Sequence, residues 1–189
     1  MNFLAHLFLS KHDEALMLGN FMGDFVRKSA DVHYPEGVRR GLELHRDIDT
    51  FTDAHPMVRE STRLLHERHH KYAPVLLDVY YDYLLVKNWE VFSTQSLLDF
   101  TQNVYKILES YIEMMPPVLQ QRLPLMIADD WLVRYGTFEG LEFTFSRMRL
   151  RASKPDYFDH AVETLQLHLE PLNERFLQFF PDVMEFANQ

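Results

Sequence analysis

Residues 41–56 read Gly41-Leu42-Glu43-Leu44-His45-Arg46-Asp47-Ile48-Asp49-Thr50-Phe51-Thr52-Asp53-Ala54-His55-Pro56. This run combines two histidines, one arginine and three aspartates with apolar residues at helical spacing. In a helix, His45 and Asp49 lie on one face about one turn apart. Arg46 lies about 100° further round, within reach of a phosphate held beside that face. The pattern predicts a helical site for metal-assisted phosphoester chemistry.

The composition of the whole chain predicts an all-α protein. Of its 189 residues, 47% are hydrophobic and 14% are aromatic, which excludes a disordered chain. No segment keeps the alternation of a strand, and the length suits one domain. We therefore expect a single-domain helical bundle over residues 1–189. The absence of cysteine excludes disulfides, thiolate zinc sites and cysteine nucleophiles, and it fits a reducing compartment.

The charge of the chain argues against nucleic acid as a partner. A net charge of −9 provides no broad basic surface for phosphate contacts. One local exception runs from Arg134 to Lys154, where five basic residues stand against two acidic ones. This segment is either a docking site for an acidic partner or an ordinary solvated helix end and loop.

The apolar segment Phe3 to Leu9 is interpreted as a core helix. It has no basic residue before it, contains a histidine and runs into charged residues, unlike a signal peptide. No stretch approaches the roughly eighteen apolar residues that cross a bilayer. We therefore expect no membrane segment and a cytoplasmic location.

Helical periodicity extends along the rest of the chain. Pro35 is expected to open the helix that carries His45, and Pro56 to follow its end. A strongly apolar helix begins at Pro74 and runs to Trp89. Further on we expect continuous helices over residues 118–135, 138–150 and 155–179.

Further candidate ligands lie in apolar surroundings. Asp78 and Asp82 are spaced i, i+4 in the apolar helix, and burying two unpaired carboxylates costs several kcal/mol unless a cation meets them. A metal would satisfy both; alternatively, Asp78 pairs with an arginine and Asp82 faces solvent. Asp24 is either a ligand or the salt-bridge partner of a basic residue that follows it. His6 is either a ligand or a hydrogen-bonded core histidine.

Together these side chains predict one divalent-metal site. A mixed set of histidines and aspartates suits Mn²⁺, Fe²⁺ or Mg²⁺ better than structural zinc, and a helical bundle can aim such side chains at one ion. The ion would lower the pKa of a water molecule and offset phosphoryl charge. The candidate ligands are His6, Asp24, His45, Asp49, Asp78 and Asp82.

A second pattern, His66-Glu67-Arg68-His69-His70, matches the H-E-x-x-H helix of zinc peptidases. Its surroundings are charged, Pro74 follows almost at once, and no third ligand follows at zinc-peptidase spacing. We therefore interpret this segment as a basic surface patch.

Several segments, in order along nearly the whole chain, match one known family. They are residues 1–7, Gly19-Asn20 with 24–27, 44–46 with Ile48-Asp49 and Thr52-Asp53, 77–79 with Asp82, 131–135, and 175–181. With these segments the chain resembles the acyl-carrier-protein phosphodiesterases, distant relatives of the HD-domain metal phosphohydrolases. The resemblance implies an all-α, HD-domain-like fold and Mn²⁺ as the metal. It also implies hydrolysis of the phosphodiester that joins 4′-phosphopantetheine to a serine of acyl carrier protein.

The chain departs from the HD-domain pattern at one point. That superfamily carries an adjacent His-Asp pair, whereas here His45 is followed by Arg46, and the nearest suitable acid is Asp49. Because a helix brings position i+4 back beside position i, Asp49 can stand in for the adjacent acid. The exact ligand set is left open by this departure.

The implied reaction gives roles to the remaining candidates. Arg46 is expected to bind phosphoryl oxygens, and Asp53 or His55 to pass a proton to the leaving oxygen. Acyl carrier proteins are acidic, as this chain is, so docking needs a local positive surface. The candidates for that surface are Arg27, Lys28, Arg39, Arg40 and the island from Arg147 to Lys154.

Two other functions stay open. A related metal phosphohydrolase that acts on a nucleotide or another small phosphodiester would need no carrier protein. A non-enzymatic helical binding protein would use the same charges as salt bridges and would take up no metal. The Asp78 and Asp82 pair in an apolar helix weighs against this last function.

Overall fold

The computed structural model describes residues 1–189 as twelve α-helices without a β-strand. The helices are α1 Phe3–Leu9, α2 Glu14–Met22, α3 Glu36–Ala54, α4 Pro56–His69, α5 Ala73–Lys87, α6 Trp89–Phe92, α7 Leu97–Ser110, α8 Pro117–Ala128, α9 Trp131–Arg134, α10 Phe138–Arg149, α11 Ala161–Leu167 and α12 Leu169–Ala187. Short 3₁₀ helices lie at Gly23–Phe25, Lys28–His33, His70–Tyr72, Ile112–Met114 and Pro155–Phe158. The prediction of an all-α protein is confirmed. None of the helices is both long and apolar enough to cross a membrane.

Helix α5 lies at the centre of the core. Ten of its fifteen residues are buried, which explains why apolar residues occupy most of its circumference. Its Tyr81 stacks on Phe179 of α12, with ring centroids 5.4 Å apart, and α1 and α4 pack beside it. One cluster of 47 buried hydrophobic residues joins these helices. Close packing therefore fixes the positions of the acidic residues that α5 carries.

Helices α2 and α3 are in backbone contact through Gly19 and Gly41. A Cβ atom at Gly19 would lie closer than 3.0 Å to the carbonyl oxygen of Val38, and one at Gly41 would lie within the same limit of the Leu16 carbonyl oxygen. Any larger residue would force the two helices apart. His45 follows Gly41 by about one turn, so this contact places the His45 ring against α2.

Two helices near the C-terminus were wrongly predicted to be continuous. The helix expected over 118–135 is interrupted at Asp130, which has a φ of 47° and accepts a hydrogen bond of 3.1 Å from the Tyr105 hydroxyl. The helix expected over 155–179 is divided at His160, which has a φ of 59°. Apolar periodicity continues across both breaks, so periodicity alone does not reveal a single left-handed residue.

Candidate metal centre

Helices α1 and α3 bring His6, His45 and Asp49 together. His6 Nε2 lies 3.2 Å from Asp49 Oδ1, and His45 Nε2 lies 3.3 Å from Asp49 Oδ2. The two imidazole rings are stacked, with centroids 4.0 Å apart and an interplanar angle of 19°. Both histidines are buried, whereas the Asp49 side chain is 41% exposed. The cluster is therefore open to solvent on the side of the carboxylate.

Asn20 of α2 orients both imidazoles. Its amide nitrogen donates to the His6 carbonyl oxygen at 2.7 Å, so its amide oxygen faces His6 Nδ1 at 2.8 Å. Because an amide oxygen can only accept, His6 Nδ1 carries the proton. The carbonyl oxygen of Asn20 likewise accepts from His45 Nδ1 at 2.8 Å. In the neutral state, both Nε2 atoms therefore turn a lone pair toward Asp49.

These residues fit a divalent metal ion. His6 Nε2 is buried and has no hydrogen-bond partner, although a polar atom in that position is normally paired. Ligands about 2.1 Å from one ion lie about 3.0–3.4 Å from each other, which matches the separations of 3.2 and 3.3 Å. Histidine ligands also usually donate their second ring N–H to a carbonyl or carboxylate oxygen. The Asn20 contacts supply that arrangement for His6 and His45.

Asp24 and Asp78 border the cluster. Asp24 Oδ1 lies 3.4 Å from His45 Nε2, and Asp78 Oδ1 lies 3.0 Å from the amino group of Met1. Neither carboxylate is paired with an arginine or a lysine, so the salt bridges considered for them in the sequence are not observed. Asp24 thus contacts the three-residue cluster directly, whereas Asp78 is joined to it through the amino group of Met1, which also lies 3.7 Å from Asp49 Oδ1.

Asp82 has a different position from the other predicted ligands. It is fully buried, and its two oxygens accept hydrogen bonds from the backbone N–H groups of Leu4 at 2.8 Å and Ala5 at 3.1 Å. Burial raises the pKa of Asp82 to about 7, although the hydrogen bonds from Leu4 and Ala5 favour the charged carboxylate. Asp82 therefore caps the first turn of α1 from another helix, and the geometry does not bring it into the three-residue cluster.

Replacing Asp82 by Asn should affect stability more than metal binding. The amide can accept only one of the two N–H bonds, so we expect the free energy of unfolding to fall by about 1–2 kcal/mol. Urea unfolding and a Mn²⁺ titration would check the two effects separately. A variant of wild-type stability that no longer binds Mn²⁺ would instead identify Asp82 as a ligand.

The electrostatics of the cluster favour a positive charge between the carboxylates. Burial disfavours protonation of His45, but hydrogen bonds and charges from Asp24 and Asp49 outweigh it and raise the pKa of His45 to about 9. Burial lowers the pKa of His6. The pKa of Asp49 is well below its ordinary value because the two imidazoles outweigh its burial. Without a metal, a proton on His45 and the buried amino group of Met1, whose pKa the charges of Asp78 and Asp49 raise to about 10 against its burial, supply the positive charge.

The metal-free protein should therefore lose stability as the pH rises from 6.5 to 9. A histidine whose folded pKa is raised from 6.5 to about 9 stabilises the fold fully below pH 6.5 and loses that contribution through pH 9. The expected change is on the order of 2–3 kcal/mol. Urea unfolding at pH 6 and pH 9 after chelator treatment would measure it. An equal change in a His45→Gln variant would contradict the assignment to His45.

Arg46 and Asp53 lie on α3 with the cluster. Arg46 Nη2 is paired with Asp31, whereas its buried Nη1 has no partner. Asp53 is exposed, and desolvation together with the nearby charge of Asp78 raises its pKa. Arg46 thus retains a donor for an anion, and Asp53 holds its proton to a higher pH than an ordinary aspartate.

His55, the other predicted proton donor, has partners elsewhere. Its Nδ1 accepts the Met57 N–H at 3.3 Å and so caps α4, and its Nε2 lies 3.1 Å from Asp182 Oδ2. With both nitrogens engaged, His55 is left out of the mechanism proposed below. The H-E-x-x-H segment also stays apart from the cluster, because His66 and His70 are exposed and join no group of metal-ligating side chains.

Replacing Asn20 by Ala should weaken metal binding without removing any predicted ligand. The His6 ring would lose the contact that fixes its tautomer and direction, and such changes typically cost 10–100-fold in metal affinity. A Mn²⁺ titration followed by electron paramagnetic resonance would measure the loss. Ser10→Ala is the matched control, because Ser10 also donates to the His6 carbonyl oxygen, at 2.8 Å, without touching the ring. Equal losses in both variants would contradict the orienting role.

Comparison with known proteins places the chain in a family. The family model described as acyl carrier protein phosphodiesterase matches residues 1–183. A protein of that name from Photorhabdus laumondii is 30% identical over 99% of this chain and 95% of its own length. The protein of that name from Escherichia coli strain S88 is 32% identical over 100% of this chain and 98% of its own length. The one from Yersinia pestis is 29% identical over 99% of this chain and 97% of its own length. No solved structure matches, so the HD-domain-like classification stays a prediction. The family resemblance is confirmed: the chain belongs to the acyl carrier protein phosphodiesterase family, whose named relatives are enzymes.

Proposed function

We propose that this protein is a metal-dependent phosphodiesterase that removes 4′-phosphopantetheine from holo acyl carrier protein. The products would be the apo carrier and free 4′-phosphopantetheine. The observation that carries the proposal is the convergence of His6, His45 and Asp49 around a buried His6 Nε2 that has no hydrogen-bond partner. Family membership supports the substrate, and the donor set supports a divalent metal, with Mn²⁺ first and Mg²⁺ or Fe²⁺ next.

Three residues would hold the metal, and two carboxylates would border it. His6, His45 and Asp49 are the proposed ligands, Asp24 would complete the shell or orient water beside His45, and Asp78 would hold the amino group of Met1 next to Asp49. When bound, a divalent metal supplies a Lewis acid that lowers the pKa of water and offsets charge on phosphoryl oxygens. The buried histidines and the exposed carboxylate of Asp49 leave one open side, where a phosphodiester would enter.

The remaining steps belong to side chains of α3. Arg46 would bind a phosphoryl oxygen through Nη1, with its other nitrogen fixed by Asp31. A bond would form between the water oxygen and phosphorus while the bond from phosphorus to the serine oxygen breaks, and the proton that the water loses would pass to solvent, from which Asp53 is protonated again. Asp53 would give its proton to that departing oxygen, since its raised pKa brings it closer to neutral pH.

The carrier would dock on local positive surfaces. Arg149 of the C-terminal island is already paired with Asp156 and Asp159, whereas Arg147 and Arg151 have no acidic partner. Arg27, Lys28, Arg39 and Arg40 are exposed near the cluster and also form no ion pair. Both surfaces retain the charge that an acidic carrier needs for steering and orientation.

The proposal is tested by weighing the carrier. Metal-stripped protein is incubated with purified holo acyl carrier protein, with and without Mn²⁺, and the carrier is analysed by mass spectrometry. We expect loss of the phosphopantetheine mass only when Mn²⁺ is present. An unchanged carrier, under conditions where the protein binds Mn²⁺, would overturn the proposed substrate and favour a small phosphodiester.

A further inference from the structure

A cavity of about 360 Å³ is lined in part by residues that lie close in the sequence to predicted ligands of the metal centre. Most of its wall is apolar and aromatic, with Trp131, Phe143 and Phe158 as the largest members. Asn2, Tyr72 and Thr144 add uncharged polar atoms, and three arginines complete the wall. Its size lies within the range of about 300–1,000 Å³ that is usual for small-molecule sites. The cavity therefore fits an uncharged, mainly apolar chain that carries a few hydrogen-bonding groups.

Three parts of the chain link this cavity to the metal centre. Phe3 lines the cavity and lies on α1, which carries His6. Val75 lines it on α5, three positions before Asp78, so the two side chains share one face of that helix. The third link runs through Phe25, the neighbour of Asp24, because its ring stacks on Phe3 with centroids 6.3 Å apart and an interplanar angle of 8°.

Three arginines line the same cavity without an acidic partner. They are Arg122, Arg147 and Arg151. The Arg147 guanidinium lies 5.3 Å from the ring centroids of Trp131 and Phe143, so aromatic faces hold it in place. Burial and the charges of Arg151 and Arg147 lower the pKa of Arg122, which places the three cations near one another. The three arginines therefore form a positively charged group that an anionic partner would complement.

We propose that this cavity binds the pantetheine arm of the substrate while the three arginines face acidic residues of the carrier. The inference rests on the proposed function, because the arm is attached to the phosphorus that would bind at the cluster. The arm is uncharged and carries amides and apolar groups, which matches the wall of the cavity. A carrier is acidic, which matches the arginines.

Two substitutions that fill the cavity from opposite walls test this assignment. Val75→Phe projects from α5, and Ala152→Phe from the segment after α10. We expect each to lower kcat/KM for holo carrier by about tenfold or more. Hydrolysis of bis(p-nitrophenyl) phosphate, which has no arm, should stay within about twofold of wild type. Leu167→Phe, on an exposed position of α11, is the control for added bulk.

The activities of the two variants on the two substrates decide whether the cavity binds the arm. A loss confined to the carrier substrate supports the arm-binding cavity. Equal losses on both substrates, or no loss on either, would overturn it. Pantetheine binding followed by nuclear magnetic resonance needs no catalysis and separates this inference from the proposed function. Wild-type protein should bind pantetheine, and Val75→Phe should not; failure of the wild type to bind, or preference for a fatty acid such as decanoate, would overturn the assignment.

Discussion

Replacing Asp49 by Asn is expected to lower kcat/KM for holo carrier by about 10³-fold or more and to abolish Mn²⁺ binding at micromolar concentrations. Asp49 is the residue that contacts both imidazoles, at 3.2 and 3.3 Å. The substitution keeps the size of the side chain and removes its charge. Of the three proposed ligands, only the two neutral imidazole nitrogens would then be left. The metal would lose the charge that holds it and the carboxylate that bridges the two histidines.

The measurement compares Asp49→Asn with Asp47→Asn. Asp47 lies two positions away on the same helix, is exposed and forms no ion pair. Both variants should keep the far-ultraviolet circular dichroism of the wild type, and Asp47→Asn should keep its activity. Full activity in Asp49→Asn would remove Asp49 from the site. Loss of activity in both variants would point to the net charge of α3 rather than to one ligand.

Gly23→Ala should nearly eliminate metal binding through a purely steric effect. A Cβ atom at Gly23 would lie closer than 3.0 Å to Cγ, Cδ2 and Cβ of His45. The backbone of Gly23 has a φ of −51°, which alanine adopts without strain. The substitution must therefore push the His45 ring away from Asp49. We expect a decrease in Mn²⁺ affinity of about 100-fold or more, comparable to the loss of a ligand or of its support.

Gly37→Ala provides the control for this prediction. Gly37 lies on α3, and a Cβ atom there would come closer than 3.0 Å to one atom, the Cβ atom of Ala15, which is not part of the cluster. Calorimetric titration with Mn²⁺ should show near wild-type affinity for Gly37→Ala and strongly reduced affinity for Gly23→Ala. Wild-type affinity in Gly23→Ala would mean that the His45 ring is not required where the structure places it.

Local periodicity predicts which residues of α3 share a face in the candidate site. The spacing of His45 and Asp49 predicts one helical face, and both residues lie on one face of α3. Polar residues in apolar segments need partners, which indicates His6, Asp24 and Asp78; His6 lies in the cluster, Asp24 contacts His45, and Asp78 contacts the amino group of Met1. A periodic pattern gives the face of a helix, however, and not the helix that packs against it.

Contacts between residues that are far apart in the sequence cannot be predicted from a local pattern. Asp82 and Leu4 are 78 positions apart, so no local pattern could indicate that Asp82 caps α1. Asp182, which faces His55, is 127 positions away. Asn20 acts through its side-chain amide on one histidine and through its carbonyl oxygen on the other. The only sequence feature that indicates Asn20 is that it is a polar residue within an apolar helix. The same kind of feature indicates His6 in α1.

The most direct test of the metal centre is a crystal structure of the protein grown with Mn²⁺ and measured near the manganese absorption edge. We expect one strong anomalous peak at a metal ion bound by Nε2 of His6, Nε2 of His45 and a carboxylate oxygen of Asp49, with Asn20 still hydrogen-bonded to both histidines. A peak at another group of residues would contradict it. So would crystals without a peak, grown at a Mn²⁺ concentration that supports activity.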